Sequence, residues 1–89
     1  MLLQISEELI QLFREIVREQ KTEEQWAEIE SDDMFQTPSF CGGFESLENA
    51  FCFSYFNDEQ QEFWFQLTLG EVRKAVAGEL TTVEIRRAG

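Results

Sequence analysis

Histidine is absent from this 89-residue chain, and only seven lysines and arginines stand against 18 aspartates and glutamates. Without histidine there is no Ser-His-Asp or Cys-His machinery and no imidazole ligand for a metal. A formal net charge of −11 repels a phosphate backbone, which excludes direct nucleic-acid binding. Cysteine occurs twice, at Cys41 and Cys52, too few for a disulfide framework. Thiols that need no oxidising compartment, together with a start (Met1 to Glu8) that lacks a basic region and turns acidic at once, lead us to expect a cytoplasmic protein. No apolar run exceeds Ala50–Phe53, far short of the about 20 residues a membrane-spanning helix requires. Glycine-rich phosphate loops, C-x-x-C pairs and acidic Ca²⁺ loops of the D-x-D-x-D-G kind are also missing. No cofactor and no metal are therefore expected.

What is present is unevenly distributed. Residues 1–21 carry a net charge of −1 and residues 73–89 a net +2. Residues 22–72 hold twelve acids and no lysine or arginine. The same segment holds eleven of the twelve aromatics, all but Phe13. Acid facing water would keep such an aromatic-rich domain dispersed. The functional reading is an acidic, aromatic face awaiting a cationic partner. Forgone surface ion pairs are worth only about 0–1 kcal/mol each, so stability alone does not decide between the two.

The pattern predicts a single α+β domain over residues 1–89. Leu2, Ile5, Leu9, Leu12 and Ile16 recur at 3-4-3-4 spacing, with Ile10, Phe13 and Val17 beside them. This wide stripe predicts a long helix over about residues 2–20. Five heptad positions are short for a coiled coil, so the stripe is expected to cover a sheet, and the chain to be a monomer or weak homodimer. Thr22-Glu23-Glu24-Gln25 fits a capping box opening a second helix to about residue 30, with Trp26 and Ile29 inward.

From Ser39 the period changes to two. Strands are predicted over 39–45, 50–56 and 62–69, with Gly42-Gly43 as a bulge or close approach. Phe51, Phe53 and Tyr55 share one face of the second strand; Phe63, Phe65, Leu67 and Leu69 share one face of the third. Keeping both sets on one side requires paired residue numbers of even sum, because a one-residue slip would turn one set to water. A sum of 118, which leaves an odd loop of three or five residues, pairs Tyr55 with Phe63, Phe53 with Phe65 and Phe51 with Leu67. A third helix over 71–77, closed by Gly78, and a last strand over 81–87 complete the chain. The order helix, helix, three strands, helix, strand implies an antiparallel sheet of about four strands with the long N-terminal helix on one face.

The reverse face of the hairpin carries Cys52, Ser54, Phe56, Trp64, Gln66 and Thr68. If that face is open, Phe56 and Trp64 are exposed aromatics ringed by polar groups, the make-up of a binding hot spot. If a helix or the Phe35–Phe40 segment covers it, they form a minor core. Cys41 before Gly42-Gly43 has the look of a nucleophile, but acids without nearby cations raise a thiol's pKa, so a structural cysteine is the reading we adopt. Glu28, Glu30, Asp32 and Asp33 are the carboxylates that a metal or a small enzymatic site would use.

The expected function is a non-enzymatic module that binds a basic protein through residues 22–62. Trp26, Phe56 and Trp64 would be its anchors and Glu28, Glu30, Asp32 and Asp33 its acidic rim. Small acidic inhibitors such as bacterial immunity proteins share this composition, though no motif carries the likeness. A narrower alternative is mimicry of nucleic acid by the run Glu23, Glu24, Glu28, Glu30, Asp32, Asp33. A carboxylate metal-binding or small enzymatic domain is the remaining one.

Overall fold

A computed structural model describes residues 1–29 and 34–88. Its elements in order are β1 (Leu2–Gln4), α1 (Glu7–Arg18), α2 (Glu23–Glu28), β2 (Phe35–Gln36), β3 (Phe40–Glu45), β4 (Ala50–Phe56), β5 (Glu62–Leu67), α3 (Leu69–Val76), β6 (Thr82–Glu84) and β7 (Arg86–Arg87). The main sheet is antiparallel with strand order β2-β3-β4-β5-β7, and β1 pairs with β6 in a separate two-stranded sheet. The chain is therefore α+β, with helices packed on an antiparallel sheet, as its periodicity predicts.

Where each helix begins is set by its cap. Ser6 has extended backbone, and its hydroxyl accepts from the Leu9 N–H, so α1 starts at Glu7 and not at residue 2. Leu2 and Ile5, placed in the helical stripe by spacing alone, precede this cap. Leu2 pairs with Glu84 in β1 and is exposed. Glu7 and Glu8 then occupy the positive end of α1 and Arg18 the negative end. Thr22 and Gln25 form the capping box of α2 as expected. Thr68 and Glu71 form a second one, which ends β5 at Leu67 and turns Leu69 into the first residue of α3. Helix α3 closes with Gly78 at φ +82, where the Gly78 N–H donates to Ala75 O and the Glu79 N–H to Lys74 O.

The pairing of β4 with β5 has the even parity that burial demands and the predicted register: Tyr55 with Phe63, Phe53 with Phe65, Phe51 with Leu67. Phe40, Gly42 and Phe44 of β3 face Tyr55, Phe53 and Phe51 and so lie on the same side. Against this side pack Leu9, Leu12, Phe13 and Ile16 of α1, Trp26 of α2 and Leu69, Val72 and Ala75 of α3, in one continuous core. Phe13 meets Phe53 with ring centroids 6.2 Å apart, and Trp26 meets Phe51 edge-on at 5.2 Å. Ile29, expected to face inward with Trp26, is exposed, because α2 ends at Glu28 and Ile29 is its C-cap.

Gly42 marks a close approach. The strands run through it without a bulge, and a Cβ there would collide with the Cys52 carbonyl oxygen and stand 2.9 Å from Phe53 Cα. Gly42→Ala must push two core strands apart. It is expected to cost about 2 kcal/mol, read as a shift of the urea midpoint at unchanged slope.

Glu8 fastens α1 to the turn between β2 and β3. Its Oε2 accepts from the Thr37 hydroxyl and, at 2.8 Å, from the Ser39 N–H. The Thr37 bond, aided by Ser39 and opposed by partial burial, holds the Glu8 carboxyl below its usual pKa. Because the folded-state pKa lies below the unfolded one, the stabilisation is full at neutral pH and is lost as pH falls through the carboxylate range. Glu8→Gln is expected to lower stability by about 1 kcal/mol at neutral pH. Denaturation curves of the two proteins should converge in acid.

Candidate functional site

Directly opposed residues on neighbouring strands share a face, so the far side of the sheet can be read row by row. One row crosses all five strands: Gln36, Cys41, Ser54, Trp64, Arg86. On one side of it lies the row Phe56–Glu62. On the other lie Gly43, Cys52 and Gln66, and then Glu45. The small residues Cys41, Gly43, Cys52 and Ser54 leave a shallow hollow of about 560 Å³, bounded by Trp64, Gln66 and Arg86 on one flank and by Glu45 and Glu48 at one end.

This face is open. Trp64 keeps 51% of its surface exposed and Phe56 36%. The indole is nevertheless held. Trp64 Nε1 donates to Glu62 Oε2 at 2.9 Å, and the same oxygen accepts from the Ser54 hydroxyl at 2.9 Å. Both ends of the face are acidic. Glu45 and Glu48 stand at the β3–β4 turn, whose tip projects Leu47, 95% exposed. Asp58 and Glu59 stand at the β4–β5 turn. Asn57 Oδ1 shapes that turn by accepting from the Glu59 and Gln61 N–H groups. Ion pairs among the described residues join Glu7 to Arg14, Glu19 to Lys21 and Glu84 to the Met1 amino group. None of them neutralises Glu45, Glu48, Asp58, Glu59 or Glu62.

The expected anchors are thus divided by the sheet. Phe56 and Trp64 lie together on the open face. Trp26 lies on the covered one, 1% exposed among Phe35 and Phe51, with the Lys21 ammonium 5.1 Å from its ring centroid. It is a core residue, and the expectation of a surface anchor there is corrected: the i, i+3 spacing that made it inward-facing outweighs its acidic surroundings. Its Nε1 has no hydrogen-bond partner among the described residues. Glu28 is exposed on α2, in the helix layer. Glu30, Asp32 and Asp33 lie outside the described residues. Among the described residues, the carboxylates that accompany Phe56 and Trp64 are Glu45, Glu48, Asp58, Glu59 and Glu62. Strand alternation places Glu45 and Glu62 on the Trp64 face, and that signal was available in the sequence. The role of Glu62 in fixing the indole was not.

Cys41 and Cys52 are diagonal neighbours on this face, opposite Ser54 and Gly43, and both are half-buried. The Cys52 thiol also lies 3.7 Å from Gln66 Oε1. Among the described residues, no three cysteines or carboxylates converge as a metal site would require, and no helix is long and apolar enough to cross a membrane. A second hollow, of about 380 Å³, lies on the helix side between Arg18, Lys21, Trp26, Met34 and Phe35. No family model, curated protein or solved structure matches the chain.

Proposed function

We propose that this protein is a non-enzymatic binding module that docks a basic protein, in the manner of a small acidic inhibitor, through the open face of its five-stranded sheet. The observation that carries the reading is an exposed indole, fixed in place, between two sets of carboxylates that have no ion-pair partner among the described residues. A pre-oriented aromatic loses little conformational freedom on binding, and tryptophan is the residue most enriched among interface hot spots. Phe56 and Leu47 extend the apolar contact, and Glu45, Glu48, Asp58 and Glu59 form the rim. A rim of one sign mainly speeds encounter and selects the partner. A second copy of this chain is a poor occupant, since each copy carries −11.

The test is capture from an extract of the native host, followed by binding measurements on the purified partner. A basic protein should be retained by the wild type and by Glu24→Gln/Glu28→Gln, whose changes lie in the helix layer. It should be lost with Trp64→Ala/Phe56→Ala. Affinity should fall about tenfold or more between low and high salt as the rim is screened. Equal retention by the Trp64→Ala/Phe56→Ala variant, or affinity indifferent to salt, would reject the reading. Displacement of the protein from its partner by duplex DNA would favour the nucleic-acid-mimic version of it.

A further inference from the structure

Resting on that docking reading, we infer that the group the face is built to receive is an arginine side chain, its guanidinium stacked on the Trp64 indole and bonded to Glu62. The indole has one hydrogen-bonding group, and Glu62 Oε2 already accepts from it at 2.9 Å. What Trp64 offers a partner is therefore its ring, in a residue that keeps about half of its surface open to water. The face of the ring is the negative pole of its quadrupole, and the carboxylate at the ring edge deepens the potential there, so it attracts a cation.

The carboxylate is itself half used. Glu62 Oε2 takes both the Trp64 and the Ser54 bonds, and Oε1 takes none among the described residues. An oxygen left open at the margin of an open ring asks for a donor that lies flat on the ring and bonds within its own plane. A guanidinium does both at once, whereas an ammonium is a compact, strongly hydrated point charge that does one or the other.

The protein already contains a filled version of the first half of this arrangement. The Lys21 ammonium lies 5.1 Å from the Trp26 ring centroid. Among the described residues that is the one cation placed over an indole. Arg86 is the cross-strand neighbour of Trp64 and borders the hollow, but it does not lie over the ring. It sets a like charge beside the arriving guanidinium and so restrains binding.

The experiment follows the indole N–H resonances of ¹⁵N-labelled protein during titration with N-acetyl-arginine amide, N-acetyl-lysine amide and neutral N-acetyl-citrulline amide. The arginine amide should move the Trp64 signal to saturation while that of buried Trp26 stays still. The lysine amide should bind about fivefold or more weakly, and the citrulline amide should cause no saturable shift. Glu62→Gln should weaken the arginine amide severalfold with the Trp64 indole still exposed. Arg86→Gln should strengthen it. Citrulline or lysine matching arginine, no shift at Trp64, or weaker binding with Arg86→Gln would each overturn the inference. If Trp64 ignores the arginine amide yet a basic protein is still retained through Trp64, the arginine assignment fails and the docking reading stands. If the amide binds and no protein is retained, the docking reading is the one that fails.

Discussion

Phe51→Ala is expected to cost about 4 kcal/mol, the middle of the range for a large ring removed from a packed interior. Phe51 has no exposed surface, and its ring lies edge-on to both Trp26 at 5.2 Å and Phe44 at 5.1 Å. It also stacks on Phe53 at 6.4 Å. Its neighbours come from α2, β3 and its own strand, so no single element can move in to fill the space. Against the about 5–15 kcal/mol typical of a domain's total stability, such a loss leaves little reserve. Urea unfolding followed by far-ultraviolet circular dichroism measures it. A loss under about 1 kcal/mol would mean that the interior recloses, which the tight ring geometry argues against.

Trp64→Ala makes the opposite pair of demands. Trp64 sits on the neighbouring strand, on the other side of the same sheet, and half of it is already in water. Its removal is expected to change folding stability by less than about 1 kcal/mol, within the range of surface substitutions that lose some packing. Its effect on the affinity of the proposed basic partner should be about 2 kcal/mol or more, roughly a 30-fold weakening, as for a central anchor. Calorimetric titration against the purified partner and a denaturation curve on the same sample separate the two effects. A variant that binds normally would remove Trp64 from the contact. One that binds poorly because it is unfolded would show it in the second curve.

Legibility in the sequence followed how strictly burial constrains each element. The β4–β5 register could be derived from two constraints: an even sum of paired residue numbers keeps Phe51, Phe53 and Tyr55 on the same side as Leu67, Phe65 and Phe63, and the sum of 118 leaves an odd loop of common length. Phe56 and Trp64 followed on the reverse face by alternation alone. The extent of α1 was less legible, since Leu2 and Ile5 keep helical spacing with Leu9 although the Ser6 cap stands between them. The cap decides, because its hydroxyl satisfies an N–H that spacing arguments ignore. At the end of β5 the same chemistry acts against the apolar pattern: Thr68 with Glu71 begins α3 two residues before that pattern would. Composition misled at Trp26, where acidic neighbours made a core ring look like part of a surface. The bond from Trp64 to Glu62 joins residues two apart on one strand, a contact no periodicity announces.

The two-residue outer strands have a further consequence. A sheet holding this many phenylalanines would ordinarily be a template on which further chains add and fibres grow. Here β2 offers two residues at one margin and β7 two at the other, and those of β7 are both arginines. An added chain finds too few main-chain groups in line to hold it. Mutual repulsion between copies, each at −11, slows the approach as well. The molecule can therefore leave one broad side of its sheet unclothed without inviting its own polymerisation.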